Sequence, residues 1–143
     1  MIVNNSNHTL NNKSMKILVA EDDMFNMILA KTMIKNILPN VELIEAHNGI
    51  EAIDMTFKFY PDLIFMDVQM PELDGNDATK IIRSREDSKG VRTPIIGLTA
   101  GILIKEKEKC LLSGMDDYLT KPIDSTKLKL TLSSYLEEKI SNS

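Results

Sequence analysis

Five short apolar runs recur along the chain, each followed by a stretch of helix length, and this alternation restricts the fold more than any other feature. The runs Lys16–Ala20, Glu42–Ala46, 62–66, 94–98 and 117–119 read as strands, the last being the shortest. Between them, residues 24–38 place Met24, Met27, Ile28, Met33, Ile34 and Ile37 near helical spacing, predicting a helix that packs this set into the core and stops at Pro39-Asn40. Asn48, with Glu51 three residues on, reads as the N-cap of a second helix reaching about Phe59. A third helix is expected over 75–85 and a fourth over 104–113, ended by Gly114. Asp124 or Ser125 caps a fifth, whose Leu128, Leu132 and Leu136 share a stripe. Strand and helix alternating five times predict an α/β fold, a doubly wound parallel sheet with right-handed crossovers. Such sheets bind ligands outside the carboxyl ends of their strands.

The acids fall at that end. Glu21-Asp22-Asp23 follows the first apolar run, and Asp67 closes Leu63-Ile64-Phe65-Met66. Carboxylates gathered there would repel and resist joint ionisation, a conflict that a divalent cation removes. Oxygen donors without clustered His or Cys suit Mg2+, which takes one or two carboxylates and shares a phosphate oxygen. Lys121, ahead of Pro122, and Thr99, after Ile95-Ile96-Gly97-Leu98, also end apolar runs. An ammonium and a hydroxyl there can contact a phosphoryl group, and Asp67 can then serve as its nucleophile. Taken singly, these are a solvated acidic loop, a surface lysine, a capping threonine and a buried structural acid. Their common placement at strand ends reverses that reading.

The 143 residues suit one domain with a core of its own. A net charge of −4 argues against direct nucleic-acid binding, which needs clustered Lys and Arg. The single cysteine, Cys110, rules out an internal disulfide and favours a reducing compartment. With no apolar stretch of membrane-spanning length, a cytoplasmic location without direct membrane contact is expected, although a longer parent protein could be membrane-anchored. Residues 1–14, rich in Asn and Ser, read as a flexible tail or linker; the domain is expected over 15–140, with 141–143 as a tail. Lys105-Glu106-Lys107-Glu108-Lys109 reads as a solvated helix face. The methionines of the first helix read as core, and Asp23 as the cap of that helix.

The segment Met66-Asp67-Val68-Gln69-Met70-Pro71-Glu72-Leu73-Asp74-Gly75 resembles the phosphoacceptor motif of two-component response-regulator receiver domains. Glu21-Asp22, Thr99-Ala100 and Lys121-Pro122 match the family's other signatures in order and spacing. The wording around Asp67, with Asp77-Ala78-Thr79 following, is similar to receivers attached to hybrid sensor histidine kinases. The resemblance implies a flavodoxin-like sheet of strand order 2-1-3-4-5 with five helices. It implies that Asp67 accepts a phosphoryl group from a phosphohistidine on a histidine kinase or histidine phosphotransfer domain. Asp22, Asp67 and the Gln69 backbone carbonyl would ligate Mg2+, with Glu21 holding it through water. Lys121 and Thr99 would contact the phosphoryl oxygens, and Thr99 with Tyr118 would form the switch. Gln69 and Gly101 would tune dephosphorylation. Such a domain is not a turnover enzyme: it helps catalyse its own phosphorylation and hydrolysis. It is expected to be a monomer before phosphorylation, with a phosphorylation-dependent dimer left open.

Two enzymatic or cofactor-binding classes compete. An aspartyl-nucleophile phosphatase or phosphotransferase of the haloacid-dehalogenase type wants a second acid two residues after the nucleophile, where Gln69 stands. A flavin binder needs a phosphate-cradling loop after the first strand, where Glu21-Asp22-Asp23 would repel phosphate. A degenerate receiver used only for docking would lack some of these site residues, yet all are present.

Overall fold

The computed structural model describes residues 14–101 and 103–141, with side chains through Leu136. The expected flexible tail therefore lies outside the described residues except for Ser14, as do residues 142 and 143. Strands β1 (Lys16–Ala20), β2 (Glu42–Ala46), β3 (Leu63–Asp67), β4 (Ile95–Thr99) and β5 (Asp117–Thr120) alternate with helices α1 (Met24–Ile37), α2 (Gly49–Phe59), α3 (Gly75–Lys89), α4 (Ile104–Ser113) and α5 (Ser125–Ser141). All four pairings are parallel, in the order β2-β1-β3-β4-β5. The expected doubly wound, five-stranded sheet is thus present.

The period of two sorts the core into two layers. Ile17 and Val19 of β1, Leu63 and Phe65 of β3, Ile96 and Leu98 of β4 and Leu119 of β5 pack with Met27, Ala30 and Ile34 of α1 and Leu128, Leu132 and Leu136 of α5. Leu18, Ala20, Ile44, Ala46, Ile64, Met66 and Ile95 pack against α2, α3 and α4 through Ala52, Ile53, Ala78, Ile82 and Cys110. Every residue of β3 and β4 is buried, which explains why those segments read as unbroken apolar runs rather than as alternation.

The helix starts follow local chemistry. Asp23, Asn48 and Asp74 accept hydrogen bonds from the backbone N–H groups of Asn26, Glu51 and Asp77, each at 2.8 Å. Asp124, rather than Ser125, caps α5 by accepting from Lys127 N–H at 2.9 Å. Glycines in the left-handed region end α3 and α4 at Gly90 and Gly114.

Two expectations fail. Met24 and Ile28 do not join the core: they are 68% and 59% exposed, because the buried stripe of α1 runs through Met27, Ala30 and Ile34. Helix α3 continues four residues past 85, to Lys89, because the polar Glu86 is buried by a guanidinium and a backbone N–H rather than by apolar packing.

Candidate functional site

The same period of two aims the site. Asp67 shares the parity of Leu63 and Phe65 at the tip of β3, while Glu21 and Lys121 extend the parities of Val19 and Leu119 one step past β1 and β5. Those two residues are held in register by backbone bonds, from Glu21 N–H to the Ala46 carbonyl at 2.9 Å and from Lys121 N–H to the Thr99 carbonyl at 2.8 Å. Sheet geometry thus converges three side chains separated by up to 100 residues. The Lys121 ammonium donates to Glu21 Oε1 at 2.7 Å and stands 3.2 Å from Asp67 Oδ1. A close turn returns the chain after Asp67. Gly75 N–H donates to the Val68 carbonyl at 2.8 Å, and a Cβ at Gly75 would collide with the Asp67 carbonyl oxygen. Only glycine allows α3 to start so near the acid.

Ligand atoms of Glu21, Asp22 and Asp67 all lie within 4.8 Å of one another. Glu21 and Asp67 are buried and Asp22 is exposed, so the group opens to solvent on one side. Asp23 does not belong to it: it caps α1, as expected, and its N–H donates to Glu21 Oε2 at 3.1 Å. Gln69 N–H donates to Asp67 Oδ1 at 3.3 Å. Thr99 is buried, and its hydroxyl oxygen accepts from Gly101 N–H at 3.0 Å. One cleft gathers Glu21, Asp22, Asp67, Gln69, Thr99, Gly101 and Lys121. Tyr118 does not line it; its half-buried ring lies 5.3 Å beneath the Lys107 ammonium.

The electrostatics follow from burial. Desolvation pushes the Asp67 carboxyl up to about 7, the neighbouring Glu21 pushes the same way, and Lys121 pulls back. Burial works against the Lys121 charge, but Glu21 and Asp67 together outweigh it and hold its pKa above the ordinary value. A clustered set of carboxylate oxygens, one of them reluctant to ionise, is the environment that a hard divalent cation stabilises.

Sequence reasoning missed two features. Glu106 and Lys109 line the cleft and Lys107 covers Tyr118, so the segment 105–109 is not simply a solvated face. A charged run at helical spacing gives no sign of which residues turn inward. The second feature is the exposed apolar set Met24, Phe25, Ile28 and Leu29 on α1, a helix whose Asn26 lines the cleft.

Comparison with known proteins agrees with this geometry. The family model for the response regulator receiver domain matches residues 17–133. Hybrid signal transduction histidine kinase I of Dictyostelium discoideum is 39% identical over 137 residues, covering 90% of this chain and 8% of that protein. The receiver domain of Saccharomyces cerevisiae Ssk1, solved with the histidine phosphotransfer protein Ypd1, superposes with a TM-score of 0.79 at 32% identity, covering 85% of this chain and 88% of the other. The receiver domain of the sensor histidine kinase PA1611 of Pseudomonas aeruginosa PAO1, solved with magnesium in its active-site cleft, gives 0.77 at 34% identity, covering 87% and 99%. With strand order, acidic cleft and family match in agreement, the chain belongs to the response regulator receiver domain family. Its similarity extends to the receiver segments of hybrid sensor histidine kinases, of which it spans a small part: 15% of probable histidine kinase 1 of Oryza sativa subsp. indica, for example. Among the described residues no helix is long and apolar enough to cross a membrane.

Proposed function

We propose that this domain is a phosphoacceptor in a two-component phosphorelay, taking a phosphoryl group onto Asp67 from a phosphohistidine of a histidine kinase or histidine phosphotransfer domain. The observation that carries this reading is the meeting of Lys121 with Asp67 and Glu21 at 3.2 and 2.7 Å, in a cleft shared with Asp22 and Thr99. Asp67 Oδ forms a bond to phosphorus as the phosphorus–nitrogen bond breaks, and the electron pair leaves with the imidazole. Lys121 stabilises the charge spread over the phosphoryl oxygens, and Thr99 donates its hydroxyl to one of them. The all-oxygen cluster fits Mg2+, which Asp22, Asp67 and the Gln69 backbone carbonyl would hold, with Glu21 acting through water. Its chemistry there is neutralisation of negative charge on the phosphoryl group.

The domain promotes its own phosphorylation and hydrolysis and is not a turnover enzyme. The haloacid-dehalogenase alternative is not favoured, since Gln69 occupies the place of that family's second acid and the family match lies elsewhere. Signalling follows a population shift. Thr99 turns to the phosphoryl group, releases Gly101 N–H, and vacates space that Tyr118 enters as it leaves Lys107. Structures of both states with one Tyr118 rotamer would reject this switch.

The assignment is tested with a phosphorylated histidine phosphotransfer protein as donor. Label is expected to move to the wild-type chain and not to Asp67→Ala. Equal labelling of the variant overturns the assignment.

A further inference from the structure

The cleft has one wall that the phosphoacceptor chemistry leaves unused. Gly101 forms part of it, two residues after Thr99, and its N–H is tied to the Thr99 hydroxyl at 3.0 Å. Gly101 has no side chain to place beside the bound phosphoryl group. The space is nonetheless filled: a Cβ built at Gly101 would fall on the carboxylate of Glu106, with Oε1, Oε2 and Cδ all in collision. Glu106 belongs to the first turn of α4, where its N–H bonds to the Leu103 carbonyl at 3.1 Å. Its side chain is half-buried and lines the same cleft as Asp67 and Lys121. Among the described residues its carboxylate has no hydrogen-bond or ion-pair partner. Its field is felt inward, where it adds to burial in raising the Cys110 thiol above its ordinary pKa.

We propose that Glu106 stands in for the side chain that Gly101 lacks and orients the water that hydrolyses the phosphoryl group on Asp67, so that it is a positioning residue for signal decay. The inference rests on the phosphoacceptor reading above. A carboxylate is no ligand for a phosphoryl group, because the two repel. It is a strong acceptor for a water placed between them. With one O–H directed at Glu106, the water turns a lone pair to phosphorus. The new oxygen–phosphorus bond forms as the bond from phosphorus to Asp67 Oδ breaks, and that electron pair returns to the Asp67 carboxylate. Both water protons stay with the product, which leaves as dihydrogen phosphate, and Glu106 is unchanged. The other acids of the cleft cannot take this part so readily: Glu21 is engaged by Lys121, Asp22 is assigned to Mg2+, Asp23 caps α1 and Asp74 caps α3, while Asp67 carries the phosphoryl group.

The test loads the chain with acetyl phosphate and Mg2+, removes the donor, and follows the phosphorylated fraction by intact mass. Glu106→Ala is expected to lengthen the lifetime about tenfold, the rate equivalent of one lost charge-assisted hydrogen bond. Gly101→Ala puts a methyl group where the carboxylate sits and evicts the end of a flexible side chain, so it should lengthen the lifetime to the same degree. The double variant should match either single one, because both remove the same contact. Glu106→Gln keeps an acceptor oxygen and should retain most of the wild-type decay. An unchanged or shortened lifetime in Glu106→Ala overturns the inference, as do additive effects in the double variant or a Gln variant as slow as Ala. In each of these outcomes the phosphoryl adduct still forms. A wild-type chain that gains no adduct at all overturns the phosphoacceptor reading itself, and this inference with it.

Discussion

Lys121 bridges two buried carboxylates, donating to Glu21 at 2.7 Å while standing 3.2 Å from Asp67. The lysine therefore does two jobs. It lowers the cost of holding Asp67 beside Glu21, and it sets a cation where a phosphoryl group would arrive. Replacing it by alanine leaves both acids facing each other without a counter-charge. Phosphorylation of Lys121→Ala by acetyl phosphate should slow by about 10²–10³, the usual loss for one preorganised donor. A time course of intact mass measures this. A rate within about twofold of wild type would remove Lys121 from the chemistry.

Asp67 also gives stability a pH dependence. Its carboxyl is raised from 3.8 to about 7 by burial and Glu21, so across that interval the native state keeps a proton that the unfolded chain has lost. Stability from this group is therefore fully present below the unfolded value and falls as pH rises toward 7, by at most about 4 kcal/mol. Asp67→Asn removes the dependence. In urea unfolding without divalent cations, the variant should equal wild type near pH 4 and exceed it by about 1–3 kcal/mol near pH 8. Equal stability at both values would contradict the burial argument.

Far from the cleft, Arg83 ties three segments together. Its guanidinium donates to the Gly114 carbonyl at 2.8 Å, to Glu86 at 2.6 Å, to the Thr93 carbonyl at 2.7 Å and to Asp116 at 2.8 Å. Glu86 is almost wholly buried and also accepts from Thr93 N–H at 2.7 Å. Arg83→Ala strands that carboxylate and should cost about 3–5 kcal/mol in denaturant unfolding. Arg83→Lys should recover only part, since an ammonium cannot reproduce the fork. A loss below about 1 kcal/mol would show that the network is dispensable.

The exposed face of α1 predicts how a donor protein docks. Phe25 and Ile28 are 71% and 59% exposed, and α1 starts at the cleft, with Asn26 in its wall. A partner that brings a phosphohistidine to Asp67 would cover this face. Phe25→Ala with Ile28→Ala should weaken transfer from a histidine phosphotransfer protein at least about tenfold. Phosphorylation by acetyl phosphate, which needs no docking, should be little changed. Equal losses with both donors would indicate damage to the site rather than to a docking surface.

What the sequence disclosed and what it hid have separate physical causes. The strands were legible because β3 and β4 are buried on both faces and so read as unbroken apolar runs. The site was legible because strand ends converge in a parallel sheet, so the places of Glu21, Asp67, Thr99 and Lys121 after their apolar runs suffice to bring them together. Strand bounds differed by one residue, since Asp67, Thr99 and Thr120 keep extended pairing past the last apolar position. The outward turn of Met24 and Ile28 was hidden because helical periodicity marks an apolar stripe without marking where its buried part begins. The burial of Glu86 and the inward reach of Glu106 were hidden because both depend on residues from other elements: Arg83 and Thr93 for one, the bare backbone of Gly101 for the other.

The central claim is that the phosphoryl group is carried by Asp67 and by no other acid of the cleft. Borohydride reduction of the chain after treatment with acetyl phosphate and Mg2+, followed by peptide sequencing, tests it most directly, because reduction converts an aspartyl phosphate to homoserine. Homoserine at position 67 alone is the predicted result. Reduction at position 22 or 23, or at none, would contradict the account.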